Sequence, residues 1–325
     1  MSIVFMGTPE FAVPALRRLA ADGLPLTAVY SQPDRPAGRG RRPRPSAVKL
    51  AAQDLGLPVH QPPTLRDPQA LAELASHEPQ AIVAVAYGQI LRQEVLEIPP
   101  RGVLNIHPSL LPRHRGASPI PAAILAGDEA SGVTIMLMDQ GLDTGPILAQ
   151  RVLAIEPADT AASLGERLAH LGANLLADAL PRWLRQEIKP RPQDDSRATK
   201  TPLLRKEQGD IDWDLPAKIV WQQIRAFNPW PGSHTALDGE MVRIWQAWPL
   251  AGDSGHPPGT IVALSPDQHR ELPPGSDPEA FAVQTGSGLL SILLVQRAGR
   301  RALPPGDFLR GVRAAIGRRL VTEQR

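Results

Sequence analysis

Apolar and polar positions divide this chain into two regions of different rhythm. "SIVFM" (2–6) is a short apolar run, and "PEFAVPALRRLAADG" (9–23) repeats its apolar residues at helical spacing. Thr8 stands at the N-cap position, Pro9 in the first turn and Gly23 at the end, so this segment predicts a helix. "PLTAVYS" (25–31), "AIVAVAY" (81–87), "GVLNI" (102–106) and "GVTIMLM" (132–138) are further apolar runs of strand length. Buried-type strands alternating with helices predict an α/β N-terminal domain with a mostly parallel, Rossmann-like sheet covered on both faces. At 160–186, Leu164, Leu168, Leu171 and Leu175 fall on one face of a long helix, and His170 beside them reads as a surface or boundary histidine.

Beyond that helix the rhythm changes. "RQEIKPRPQDDSRATKTPL" (185–203) is poor in apolar residues and rich in breakers, which reads as a linker. After Arg205, "VRIWQAWP", "PGTIVALS", "AFAVQTG" and "GLLSILLVQRAG" are short strand-like runs between Gly and Pro turns. They predict a smaller C-terminal β-barrel with a helix or two at its edges. "SPDQHRELPPGSDPE" (265–279) reads as a polar loop. The boundaries expected are 1–188 for the first domain, 189–204 for the linker and 205–325 for the second domain.

Composition narrows the choices. The absence of cysteine excludes disulfides, thiol nucleophiles and Cys-ligated zinc. The start "MSIVFMGTPEF" has no charged n-region, and no stretch approaches the roughly 20 apolar residues of a membrane span. A soluble cytoplasmic protein without a membrane partner is expected. The 35 basic and 33 acidic residues nearly balance, so total charge does not argue for nucleic acid. Local charge does more: residues 34–49 hold six basic side chains (Arg35, Arg39, Arg41, Arg42, Arg44 and Lys49) against Asp34 alone. Residues 297–325 hold eight arginines against two acids. Such patches neutralise phosphates, although a solvated basic loop has the same composition.

The candidate chemistry centres on "NIHPSLLPRHRG" (105–116). On a strand, Asn105 and His107 project from the same face, and Pro108 ends the ladder after them. An amide and an imidazole side by side suit a reaction that passes through a tetrahedral oxyanion. A strand-end cap explains the same pair. "MDQGLDTGPIL" (138–148) puts Asp143 on a Gly-flanked loop after an apolar run, where its carboxylate can reach an imidazole or stabilise its own turn. There is no G-x-x-x-x-G-K-[ST], H-E-x-x-H or G-x-S-x-G, and "GTPEF" is not a dinucleotide fingerprint. The eight histidines show no metal-ligand spacing, so no metal is expected.

"NIHPSLLPRHRGASPI" followed by "GVTIMLMDQGLDTGPIL" resembles the folate-dependent formyltransferase family, whose members use 10-formyltetrahydrofolate. "FMGTPEFAVPAL", "SQPDRPAGRG", "VAYGQIL", "DIDWDLPA" and "IRAFNPWPGS" extend the resemblance from about residue 3 to residue 320. The resemblance implies that Asn105, His107 and Asp143 are the catalytic trio. It implies that Ser109, Leu110, Leu111 and Pro112 line the folate site. Tyr87, Gly88, Gln89, Ile90 and Leu91, with Asp139 and Leu142 of the loop 139–143, would hold the pterin, largely through backbone groups. The residue after the histidine varies in the family and is Pro108 here.

For the acceptor, the resemblance implies the α-amino group of initiator methionyl-tRNA, formylated for translation initiation by a monomeric enzyme. The basic loop of Arg35, Arg39, Arg41, Arg42 and Arg44 would grip the acceptor arm, with Arg39 at the functional position. The C-terminal barrel resembles an OB-like fold that tracks the tRNA backbone. Trp213, Trp221, Trp230, Trp245 and Trp248 read mainly as core. Rival readings are a family member acting on a small amine, such as an aminosugar nucleotide, and an inert RNA-binding protein on the same scaffold.

Overall fold

The apolar runs of the first region become the strands of a seven-stranded sheet in a computed structural model that describes residues 2–37, 42–312 and 314–322. In chain order the elements are β1 (Ile3–Gly7), α1 (Val13–Ala21), β2 (Leu26–Tyr30), β3 (Arg35–Ala37), β4 (Arg42–Arg44), α2 (Ala47–Asp54), β5 (Val59–His60), α3 (Pro68–Ser76), β6 (Ala81–Val85), α4 (Gln93–Leu96), β7 (Val103–His107), β8 (Arg115–Gly116), α5 (Pro119–Leu125), β9 (Ala130–Leu137), β10 (Ile147–Ala154), α6 (Ala161–Leu184) and β11 (Lys200–Thr201). The sheet order is β10-β9-β7-β6-β1-β2-β5. β1, β2, β5, β6 and β7 run parallel, whereas β9 is antiparallel to both β7 and β10. β1 and β6 are buried at every position, which is why they read as continuous apolar runs rather than alternating ones.

Local chemistry explains most boundaries. Ser46 and Asp67 cap α2 and α3 by accepting from Lys49 N and Gln69 N. Thr8 does not cap its helix as expected. The chain enters α1 through a 3₁₀ turn at Glu10–Ala12, and the Thr8 hydroxyl instead donates to the Tyr87 carbonyl at 2.7 Å. α6 packs directly on β7 because residue 172 is glycine: a Cβ there would stand 2.7 Å from Ile106 Cγ2. Ile106 therefore faces α6, and its neighbours Asn105 and His107 face the opposite side.

The chain forms two compact units. The first comprises the residues up to Pro119 with Glu129–Ala154 and Leu164–Pro202, so it includes much of the stretch read as a linker. The second comprises Ile120–Asp128, Ile155–Ser163 and the residues from Leu203 onward.

In the second unit α7 (Ala217–Ala226) precedes β12 (Ser233–Leu237), β13 (Glu240–Leu250), β14 (Ile261–Ala263), α8 (Pro266–Arg270), β15 (Phe281–Gln284), β16 (Leu289–Arg297), β17 (Ala302–Leu303) and α9 (Pro305–Gly311). The antiparallel sheet runs β12-β13-β16-β15-β14, with β17 on β16. Its two edges are joined by one segment near the end of the chain: Val321 bridges Ala236 of β12, and Arg319 bridges Thr260 beside β14. This closes the curled sheet into a barrel-like form and leaves Leu320 in its core with Ile224, Phe281, Leu290 and Phe308. The polar stretch 265–279, expected as loop, contains α8, which starts on a capping box between Ser265 and Gln268.

Candidate active site

β7 carries Asn105 and His107 on the face away from α6. His107 is buried (4% exposed), and its Nε2 donates to the carbonyl of His114 at 2.9 Å. This contact fixes the neutral ring as the Nε2–H tautomer and leaves Nδ1 with its lone pair. Nδ1 lies 3.6 Å from Asp143 Oδ2. Burial pushes the His107 pKa below the usual imidazole value, and the Asp143 carboxylate offsets part of that shift. The side-chain amide of Asn105 makes no hydrogen bond to any described residue.

Asp143 reaches this position by an unexpected route. Because β9 is antiparallel to β7, Leu137 pairs with Leu104 at the amino end of β7, and the loop after β9 starts there. Asp143 occupies left-handed backbone (φ 56°), and its Oδ2 accepts from Gly116 N at 2.8 Å. Residues 115–116 are held in turn by a two-stranded ladder, with Arg115 paired to Lys200 and Gly116 to Thr201. A Cβ at Gly116 (φ 114°) would stand 2.4 Å from the Thr201 carbonyl, so only glycine allows this approach. The carboxamide of Gln193 donates to the carbonyls of Asp143 (2.8 Å) and Gly145 (2.7 Å) and accepts from Arg115 Nε (3.0 Å) and Nη2 (2.8 Å).

The other candidate residues separate by exposure. Ser109 and Leu111 are buried and hold their turn: Ser109 Oγ donates to the Arg113 carbonyl, and Leu111 N donates to Thr134 Oγ1. Leu110 and Pro112 are half-buried. Tyr87 and Leu91 belong to the core, and Gln89 ties its loop to Leu65 N and the Pro62 carbonyl. Gly88 is exposed. Ile90 and Leu142 are the apolar side chains left in solvent, 83% and 62% exposed. Asp139 braces its own loop by accepting from Gly141 N and Thr144 Oγ1.

Among the basic residues, Arg35 and Arg44 are exposed cross-strand neighbours on the β3–β4 hairpin. Arg39 and Arg41 lie outside the described residues, as does the side chain of Arg42. The C-terminal arginines are less available than their number suggests: Arg297 pairs with Glu240, Arg310 with Glu279 and Asp307, and Arg318 with Asp238. Trp213 is core, Trp221 packs edge-on against Trp248, and Trp230 is 55% exposed. No group of three or more metal-ligating side chains occurs among the described residues, and no described helix is long and apolar enough to cross a membrane.

Sequence reasoning missed the contributions of Arg115, Gln193, the His114 carbonyl and the 199–201 segment. A backbone acceptor leaves no mark in a sequence. The polar side chains of 193–201 were visible, but nothing in their spacing shows that they pair with 115–116.

Comparison with known proteins identifies the family. The formyl transferase family model matches residues 1–180, and the formyl transferase C-terminal domain model matches 203–313. The methionyl-tRNA formyltransferase of Chloroflexus aurantiacus is 48% identical over 314 residues, covering 97% of this chain and 98% of its own. That of Methylococcus capsulatus is 46% identical over 322 residues, covering 99% and 100%. In fold, the chain resembles an N-formyltransferase from Helicobacter canadensis crystallised with folinic acid and dTDP-3-aminofucose. That likeness has a TM-score of 0.66 at 17% identity and covers 89% of this chain and 98% of the other. With both regions matched in order and relatives this similar over nearly their whole length, the chain belongs to the formyl transferase family.

Proposed function

We propose that this chain transfers the formyl group of 10-formyltetrahydrofolate to the α-amino group of initiator methionyl-tRNA, giving N-formylmethionyl-tRNA for translation initiation. The observation that carries the reading is one imidazole with Nε2 anchored and Nδ1 facing a carboxylate, on the same strand face as an unbonded amide. The names of the relatives supply the acceptor.

The donor site fits a folate. Ile90 and Leu142 offer apolar surface, and Asn105 offers an amide that no described residue uses. Tyr87 to Leu91, Ser109 to Pro112, Asp139 and Leu142 would hold the pterin, mainly through backbone groups. The folate supplies the formyl carbon and takes the electron pair of the broken carbon–nitrogen bond. An α-amino group has a pKa of about 8, so a usable neutral fraction exists near pH 7. Asn105 donates to the formyl oxygen as charge develops there, a contact whose loss typically costs about 10²–10³ in rate. His107 Nδ1 takes the proton from the attacking amine and returns it to the leaving nitrogen. One nitrogen–carbon bond forms, one breaks, and no proton is consumed overall. Asp143 stabilises the imidazolium while it holds the proton.

In this reading residues 1–188 carry the catalysis, 205–325 hold tRNA and 189–204 join them, in a monomer of the cytoplasm. Arg35 faces Arg44 across the hairpin, an arrangement of like charges that costs stability and that a polyanion relieves. Arg39, Arg41 and Arg42 belong to the same basic stretch of sequence. The test is formyl transfer to methionyl-tRNA, to glycinamide ribonucleotide and to an aminosugar nucleotide, assayed side by side. Product with methionyl-tRNA alone is expected. Product with a small amine alone would keep the chemistry and overturn the acceptor. RNA binding with no turnover on any of the three would leave only an inert scaffold.

A further inference from the structure

We infer that Gln193 is a positioning residue for the catalytic pair, acting through Asp143; the inference rests on the catalytic reading of His107 and Asp143. Its carboxamide is saturated on both sides. The two N–H groups hold the carbonyls of Asp143 and Gly145, and the oxygen accepts twice from the Arg115 guanidinium. Arg115 is itself buried (4% exposed), and its backbone N is bonded to the Thr199 carbonyl. The next residue, Gly116, gives the Asp143 carboxylate its hydrogen bond, and the preceding residue, His114, supplies the carbonyl that anchors His107. One side chain thus joins the backbone of Asp143 to the strand that orients both members of the pair.

The chemistry of the clamp selects glutamine. Two carbonyls require two donors, and a guanidinium requires an acceptor, so only a carboxamide satisfies both at once. The need is acute at this point because Asp143 occupies left-handed backbone, a conformation a non-glycine residue keeps only when its surroundings enforce it. Without the clamp the loop relaxes, and the 3.6 Å separation between His107 Nδ1 and Asp143 Oδ2 is no longer enforced. Misplacement of a catalytic group by about 1 Å can cost about 10²-fold in rate.

The experiment compares Gln193→Ala, Gln193→Glu, Asp143→Asn and the double variant Gln193→Ala/Asp143→Asn in formyl transfer to methionyl-tRNA. Thermal unfolding of each is measured alongside. Gln193→Glu keeps an acceptor for Arg115 but sets a carboxylate oxygen against the two carbonyls in place of the donors, so it breaks the hold on Asp143 while retaining support of Arg115. We expect both Gln193 variants to lose roughly 10–100-fold in kcat, with KM for either substrate within about threefold. In the Asp143→Asn background the added loss should be less than about threefold, because a residue that acts through Asp143 has nothing further to position. Wild-type kcat in Gln193→Glu, or fully multiplicative losses in the double variant, would overturn the inference. Full activity of Asp143→Asn itself would instead bring down the catalytic reading on which it rests.

Discussion

Two buried imidazoles, one in each unit, face an aspartate, and they differ in what the protein leaves free. His234 on β12 is 4% exposed, with Nε2 2.6 Å from Asp210 Oδ1 and Nδ1 facing the Gly232 carbonyl at 3.3 Å. His107 is equally buried, but only Nε2 meets a close protein acceptor, and Nδ1 stands 3.6 Å from its aspartate. Both nitrogens of the first ring face a protein oxygen, and the ring works as a latch, holding residue 210 to β12, where the two also form a bridge. The second keeps one nitrogen at a distance that a substrate proton can enter. An Asp–His contact therefore does not by itself set the two rings apart; the nitrogen left without a close protein acceptor does, and the proposed function uses that nitrogen.

The largest effect expected from this contrast is on turnover. His107→Ala should lower kcat by about 10²–10⁴-fold, the usual contribution of a positioned proton carrier, and cost about 1–3 kcal/mol of stability because the His114 carbonyl loses its partner. His234→Ala should cost a similar amount of stability, about 1–3 kcal/mol, by removing the imidazole that faces Asp210 and the Gly232 carbonyl, but leave kcat within about twofold of normal. Steady-state kinetics and denaturant unfolding of both variants check this. Comparable loss of turnover in a well-folded His234→Ala would break the distinction.

A smaller effect, and a sharper one, is the titration of His107. Its pKa is lowered by burial, so between that value and about 6.5 the unfolded chain binds more protons than the folded one. The residue's contribution to stability is intact above about pH 6.5 and is lost as pH falls through the folded pKa. Imidazole resonances followed by NMR should show His107 titrating below the normal range. Asp143→Asn removes the charge that favours the imidazolium and should move the midpoint lower still. A midpoint that rises in Asp143→Asn would show that the carboxylate does not act on the ring as the geometry implies.

Much of this site was legible because it follows from strand periodicity. Asn105 and His107 share a face two residues apart, and Ile106 between them meets α6. What the periodicity could not carry was direction and long-range pairing. The apolar run 132–138 looks the same parallel or antiparallel, so the path of the Asp143 loop was hidden. The segment 193–201 looks like linker because its role is polar: Gln193 and Thr199 bond the loops of Asp143 and His114 rather than fill a core. Barrel closure by residues 319–321 was equally hidden, since that segment buries only Leu320 and contributes mainly backbone hydrogen bonds. Thr8 failed as a cap because its hydroxyl was needed at the Tyr87 carbonyl, a partner 79 positions away.

The smallest expected effect extends the same contrast from imidazoles to arginines. Arg318 is matched within the protein by Asp238, whereas Arg35 and Arg44 make no ion pair among the described residues. If saturation decides which groups are left for a ligand, hairpin arginines should meet phosphate and the paired one should not. Each lost phosphate contact lowers the slope of log affinity against log salt by about 0.7–0.9. Arg35→Ala/Arg44→Ala should therefore flatten the salt dependence of tRNA binding by about 1–2 and leave folate binding unchanged. Arg318→Ala should leave the slope as it was and cost at most about 1 kcal/mol, as exposed pairs do. Equal flattening in both variants would mean that partners within the protein yield readily to a polyanion. The contrast between saturated and unsaturated groups would then hold only where burial fixes it, at His107 and His234.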